Sequence, residues 1–264
     1  MEACSIKRFS WLGEEEKHLD KPSVTKDGPV VVGCYGGNTH AGQFKNEDAA
    51  MVWCGHSWEF AIVMDAHNSS ESTKILTQLF SDIENDIATT LNNQSLWDLN
   101  ALLIRFLNDK ETRRKFVGIR GETACLIAAR KDDYLYWFSI GDCVAYVLAP
   151  ELAKMGQTAL NQRQFYEWIG QVNTFDLPTQ AYSSGVRQLR KGNNRILLVT
   201  DGLLEYPNSK FPDSGYFNSH FQTGALEDVI DAALLKVDEA KGRDSATIVG
   251  WDYSCRSEGL MPTG

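Results

Sequence analysis

The chain has 264 residues, with 35 Asp and Glu against 26 Lys and Arg and a formal net charge of -9. That balance argues against nucleic acid as the main partner, because binding a phosphate backbone depends on clustered cations. Hydrophobic residues make up 43% and aromatics 11%, enough for one large core, so residues 1–264 read as a single globular domain.

The six cysteines, Cys4, Cys34, Cys54, Cys125, Cys143 and Cys255, form no CxxC pair. Such spacing predicts reduced core thiols of a cytoplasmic protein. The N-terminal stretch carries Glu14-Glu15-Glu16 and no apolar h-region, and no run reaches membrane-spanning length. Neither a leader peptide nor a membrane partner is expected.

Residues 1–29 are charged, contain Trp11 and show little periodicity, which predicts an irregular arm. Residues 30–36 and 49–54 read as the two strands of a hairpin whose mouth carries Asn46-Glu47-Asp48. The apolar run 61–64 is a short buried strand that delivers Asp65 and His67 into the turn Asn68-Ser69-Ser70.

Apolar residues then recur at three-and-four spacing over 72–91, predicting an amphipathic helix. The pattern repeats over 95–107, where Ser95 and Asp98 resemble a capping box. Residues 123–129, 134–140 and 144–148 are separated by the short turns Lys131-Asp132-Asp133 and Gly141-Asp142, which predicts an antiparallel meander. Residues 150–194 are long, polar and weakly patterned, as a functional flap would be. A strand over 195–200 ends at Asp201-Gly202, a loop and a third helix over 226–237 follow, and the final strand starts after Asp244-Ser245. Helices gathered around antiparallel strands predict an α+β layered sandwich and not a doubly wound parallel sheet.

Asp65, Asp142, Asp201 and Asp244 thus stand at the ends of separate strand-like runs. If those strands lie side by side, the carboxylates converge and need cations between them. A donor set of Asp and Glu with few histidines suits Mg²⁺ or Mn²⁺ and is a poor match for structural Zn²⁺. Two such cations can lower the pKa of a bridging water and neutralise phosphate oxygens during in-line attack. That chemistry is phosphoester hydrolysis, where charge neutralisation has to supply much of the barrier reduction.

The ordered set Asn46-Glu47-Asp48, Met64-Asp65-Ala66-His67, Gly121-Glu122-Thr123-Ala124, Ile140-Gly141-Asp142, Thr200-Asp201-Gly202-Leu203-Leu204-Glu205 and Asp244-Ser245-Ala246-Thr247 resembles the metal-dependent protein phosphatases of type 2C. The resemblance spans roughly residues 30–253 and implies a four-layer α-β-β-α sandwich, with two central antiparallel sheets flanked by helices. It implies two Mg²⁺ or Mn²⁺ ions and a third, weaker site. Asp65 would bridge the two metals and Ala66 would offer its carbonyl to one. Asp201 and Asp244 would bind the other, Glu47 would act through metal-bound water, and Asp142 would serve the third site. His67 would be the general acid that protonates the departing alkoxide, a role suited to imidazole near neutral pH. The implied partner is a phosphoprotein carrying phosphoserine or phosphothreonine.

Three positions depart from the family pattern. Gln43 stands where many members carry a phosphate-gripping arginine, and a neutral amide cannot act as a bidentate cationic clamp. Lys45, or Arg187 from the flap, is the expected compensating cation, so Gln43 and Lys45 are the substrate-binding positions. Asp65-Ala66-His67-Asn68-Ser69 replaces the usual Asp-Gly-His-Gly-Gly; an alanine carbonyl serves as well as a glycine one provided that φ is negative. Ser245 replaces an asparagine. These departures leave open a non-catalytic regulatory or binding domain of the same fold, and the flap over 150–194 leaves open a phosphatase of a small phosphorylated metabolite.

Overall fold

The computed structural model describes residues 6–260, so Cys4 lies outside the described residues. Two antiparallel sheets stack face to face. The larger has seven strands: β1 (Lys7–Leu12), β4 (Ala49–Cys54), β5 (Trp58–His67), β6 (Glu122–Lys131), β7 (Tyr134–Ile140) and β10 (Ser183–Gln188) in that order, with the short β9 (Ile169–Gly170) beside β6. The smaller has five, in the order β2 (Ser23–Asp27), β3 (Val30–Tyr35), β12 (Ala246–Cys255), β11 (Gly192–Val199) and β8 (Val144–Leu148).

The two-residue period of a strand sorts its side chains between faces. Along β5, Phe60, Ile62 and Met64 face the helices outside, whereas Ala61 and Val63 face the opposite sheet. In β6 the outward set is Cys125, Ile127 and Ala129, and the inward set is Ala124, Leu126 and Ala128. From the smaller sheet, Val30, Val32, Ile196, Leu198, Val249 and Trp251 complete the inter-sheet core. Helices α1 (Glu71–Asp82), α2 (Glu84–Asn93) and α3 (Leu96–Asn108) bury Leu76, Phe80, Ile87, Leu91, Leu99 and Leu103 against the larger sheet, with α4 (Lys110–Arg114) after them. On the smaller sheet lie α6 (Gly202–Glu205), α7 (Ser214–Phe221) and α8 (Leu226–Glu239). The four-layer sandwich is therefore present, and Ser95 and Asp98 form the expected capping box on α3.

Several local expectations are corrected. The arm is not irregular: β1 pairs Lys7 with Cys54 through Leu12 with Ala49, and β2 pairs with β3, so each forms a sheet edge. Its apolar pattern is weak because both edge strands are largely exposed, and Trp11 alone of β1 and no residue of β2 is buried. Residues 30–36 and 49–54 are not a hairpin, since β3 pairs with β12 and β4 with β5, in different sheets. The meander is real only between β6 and β7; at Gly141-Asp142 the chain leaves the larger sheet, and β8 pairs with β11. The helix over 72–91 is two helices that break at Ile83, through which the apolar spacing continues. The loop after Asp201 contains α6 and α7. The flap holds α5 (Pro150–Lys154), β9 and β10.

At the end of the sandwich remote from Asp65, Arg130 of β6 donates to both oxygens of Glu59 at 2.6 Å and to the Ser57 carbonyl at 2.7 Å. Its guanidinium lies 4.5 Å from the ring centroid of Tyr253 in β12, so the pair within the larger sheet also contacts the smaller one. Removing one member of a buried pair strands the other charge, which costs about 3–5 kcal/mol, whereas replacing both with apolar groups is close to neutral. Glu59→Gln is expected to lower the unfolding free energy by roughly that amount in chemical denaturation, and Glu59→Leu with Arg130→Met to recover most of it.

Candidate metal centre

The alternation that builds the inter-sheet core continues past its apolar part. Asp65 follows Ala61 and Val63 on the inner face of β5, Asp48 precedes Ala50 and Val52 of β4, and Thr200 and Thr247 extend the inner faces of β11 and β12. All four are buried at one end of the sandwich. Asp48 accepts hydrogen bonds from the hydroxyls of Thr200 at 3.1 Å and Thr247 at 2.7 Å, tying the larger sheet to the smaller. Sequence reasoning left Asp48, Thr200 and Thr247 out of the site, although their place in the alternation marked them as inward-facing.

The chain breaks deliver the other carboxylates. Gly141, at φ 90°, makes the turn that moves the chain between sheets and leaves Asp142 in the gap. Asp201 lies two residues beyond the end of β11, as the N-cap of α6. A Cβ on Gly202 would lie 1.9 Å from the Ser245 carbonyl oxygen, so only glycine lets the segments bearing Asp201 and Asp244 approach this closely. One carboxylate oxygen from each of Asp65, Asp142 and Asp201 lies within 4.8 Å of the other two. Asp65 Oδ2, Asp142 Oδ1 and Asp201 Oδ1 are all buried with no hydrogen-bond partner.

Burial, reinforced by the neighbouring aspartates, pushes the Asp65 and Asp48 carboxyls well above the ordinary range. Burial and then the charges of Asp244 and Asp142 raise Asp201 to about 7. Asp244 presents an edge to solvent while the cleft walls crowd its carboxylate; burial raises it, and the Ser245 amide and the His67 imidazole pull it back down. Orphaned, mutually repelling oxygens with an all-oxygen donor set fit a hard divalent cation.

One cation of the chain already faces this cluster. Arg163 Nη2 lies 3.1 Å from Asp142 Oδ2, 3.5 Å from Asp201 Oδ2 and 2.6 Å from Glu205 Oε1. Its guanidinium lies 4.8 Å from the ring centroid of Phe165. The flap is pinned here, because Asn161 bonds Ser139, Cys143 and the Ala145 amide, and the Gln164 amide donates to the Gly141 carbonyl. Nothing in a polar stretch singles out Arg163 from sequence.

The remaining positions surround these carboxylates. Glu47, Asp244, Gln43 and Lys45 line a cleft of about 700 Å³, with Glu205 and Tyr206 on its wall. Lys45 is held by Glu47 at 2.6 Å and by the Asn68 carbonyl at 3.1 Å. His67 is half-buried at the last position of β5, and Ala66 lies within the strand without a positive φ. Asn68 has φ 73°, which explains why glycine suits this position and why asparagine is tolerated. Arg187 does not compensate for Gln43, since it pairs with Leu135 near the far end of β7 and bonds Gln157.

Solved structures share this architecture. The serine/threonine phosphatase of S. agalactiae aligns with a TM-score of 0.61 at 14% identity, over 95% of this chain and 100% of that one. The fold is that of the type 2C protein phosphatases. The serine/threonine phosphatase Stp1 from Staphylococcus aureus gives a TM-score of 0.57 at 15% identity, covering 97% of this chain and 96% of that one. RsbX, solved in complex with magnesium, gives 0.55 at 13% identity over 88% of this chain and 100% of that one. No family model matches the sequence, and neither does any curated protein.

Because Asp48, Asp65, Asp201 and Asp244 hold protons more tightly in the fold than in the unfolded chain, the metal-free protein loses stability as pH rises from the ordinary aspartate value of 3.8 through about 7. With chelator present, Tm is expected to fall between about pH 5 and about pH 8, and Asp201→Asn to flatten that fall. A Tm that climbs over this interval in the wild type would contradict the raised carboxyl values.

Proposed function

We propose that this chain hydrolyses phosphoserine and phosphothreonine monoesters in proteins, using two Mg²⁺ or Mn²⁺ ions. The observation that carries the reading is the trio of orphaned carboxylate oxygens on Asp65, Asp142 and Asp201, at the strand ends of a fold shared with serine/threonine phosphatases. When bound, such ions neutralise phosphate oxygens and activate the attacking water. Asp65, Asp201 and Asp244, the Ala66 carbonyl and Glu47 would hold the pair, with Asp142 serving a third, weaker site.

His67 supplies the proton. It stands at the end of β5 within electrostatic reach of Asp244, and as an imidazolium it protonates the departing serine or threonine oxygen. Lys45 and Gln43 line the cleft on the substrate side, where Lys45 orders Glu47 and Gln43 offers an amide to the phosphate. Five buried free cysteines among the described residues support a reducing, cytoplasmic setting. No described helix is long and apolar enough to cross a membrane.

Gln43 gives the alternative of a non-catalytic binding domain its one specific support. Turnover of p-nitrophenyl phosphate and of a phosphothreonine peptide with Mn²⁺, Mg²⁺ or chelator decides between the two. Metal-dependent hydrolysis is expected, reduced roughly 100-fold or more by Asp201→Asn. His67→Gln is expected to reduce kcat on the peptide by roughly 100-fold or more, and far less on p-nitrophenyl phosphate, whose leaving group needs no proton. Metal binding without turnover would move the assignment to a regulatory domain, and turnover confined to small phosphoesters would remove proteins as substrates.

A further inference from the structure

The cleft beside the carboxylates is bordered by three basic side chains, Lys45, Lys241 and Arg243. Lys45 is committed to Glu47, whereas Lys241 and Arg243 make no side-chain hydrogen bond, ion pair or ring contact among the described residues. Both reach the cleft through an unusual end to α8. The Gly242 amide donates to the Val237 carbonyl and the Lys241 amide to the Asp238 carbonyl, each at 2.8 Å, which is a full Schellman cap. Its left-handed position is Lys241, at φ 55°, where glycine is the usual residue and a lysine is strained.

The cap is locked in place. The Asn38 amide donates to the Gly242 carbonyl at 2.9 Å, and a Cβ on Gly242 would lie 2.5 Å from Val237 Cγ1. A Cβ on Gly37 would fall 2.2 Å from the Arg243 carbonyl oxygen and 2.7 Å from Gln43 Cγ, so Arg243 and Gln43 flank the same glycine. A strained, exposed lysine and an unpaired arginine, one residue ahead of Asp244, thus project from a fixed backbone into the cleft that Gln43 also lines. Residues kept in sparsely populated backbone conformations mark functional positions when the surroundings enforce them.

We infer that Arg243 and Lys241 bind the phosphoryl group of the substrate, with Arg243 as the principal clamp and Lys241 as a second point charge. The inference rests on the phosphatase reading for its ligand, a phosphate monoester dianion, and on the cleft for its geometry. Arg243 offers forked donors to two phosphate oxygens, which an unpaired lysine cannot do alone. The cationic contact is thereby carried by the segment ahead of Asp244, opposite Gln43 across Gly37.

The test is calorimetric titration of inorganic phosphate into the Mg²⁺-loaded protein, with Mg²⁺ affinity and Tm measured on the same samples. Arg243→Gln is expected to weaken phosphate binding about 10-fold or more without changing Mg²⁺ affinity, as loss of a charge-assisted contact requires. Adding Gln43→Arg to that variant should restore most of the binding. Lys241→Gly should raise Tm by relieving the backbone while weakening phosphate about threefold, and a purely structural lysine would move Tm alone. Phosphate affinity unchanged in both Arg243→Gln and Lys241→Gly, or no phosphate binding by the wild type, overturns the inference. Phosphate binding that depends on Arg243 in a protein without turnover would remove the phosphatase reading and leave the clamp standing.

Discussion

Asp48, Asp65, Asp142 and Asp201 are carboxyl groups kept out of water between two sheets, and the repulsion among them when ionised is the constraint that the rest of the chain accommodates. An apolar sandwich core gains from bringing its sheets together, and these carboxylates lose by it. Asp48 is compensated locally by the Thr200 and Thr247 hydroxyls, which join the sheets at the depth of the site. The Asp65, Asp142 and Asp201 trio has no such local donors for its orphaned oxygens, and that difference sets it apart from Asp48.

Charge is handled differently at the two ends. Remote from the site, Arg130 with Glu59, and Arg195 with Asp252 and the carbonyls of Phe221 and Gly224, close the sandwich with nearly every donor satisfied. These are stiff, fully paired networks. At the site end the compensation comes from Arg163, held by the flap over the Gly141 turn. This counter-ion belongs to neither sheet, in contrast to Arg130 and Arg195, which are built into strands.

The departures from the type 2C pattern fall on positions whose backbone explains them. Asn68 adopts the left-handed conformation next best after glycine does, and Ala66 needs no positive φ, so the turn after β5 keeps its shape. Gln43 changes charge and not shape. Its neighbours across Gly37 are basic, so the cleft retains cations around the lost one. A site can thus preserve its field while moving the residues that generate it, which is why fold alone does not assign substrate.

Strands, most helices and the ring of aspartates at strand ends were legible in the sequence, because period-two alternation and three-and-four spacing are local properties of the chain. Alternation assigns a face to each residue and is silent on which strand lies beside which. Residues 30–36 and 49–54 therefore looked like a hairpin, and Gly141-Asp142 like a third turn of a meander, although each connection passes between sheets. The edge strands β1 and β2 were hidden because they bury almost nothing, so few apolar residues mark either face. Residue type alone gave this chain acidic, all-oxygen candidate ligands at its strand ends and a histidine two residues after one of them. Only the tertiary structure decided that Asp65, Asp142 and Asp201 bring one oxygen each within 4.8 Å of one another, that Arg163 answers them, and that Lys241 and Arg243 share a cleft with Gln43. Those are distances between segments far apart in the chain, set by sheet pairing and packing, and no local pattern encodes them.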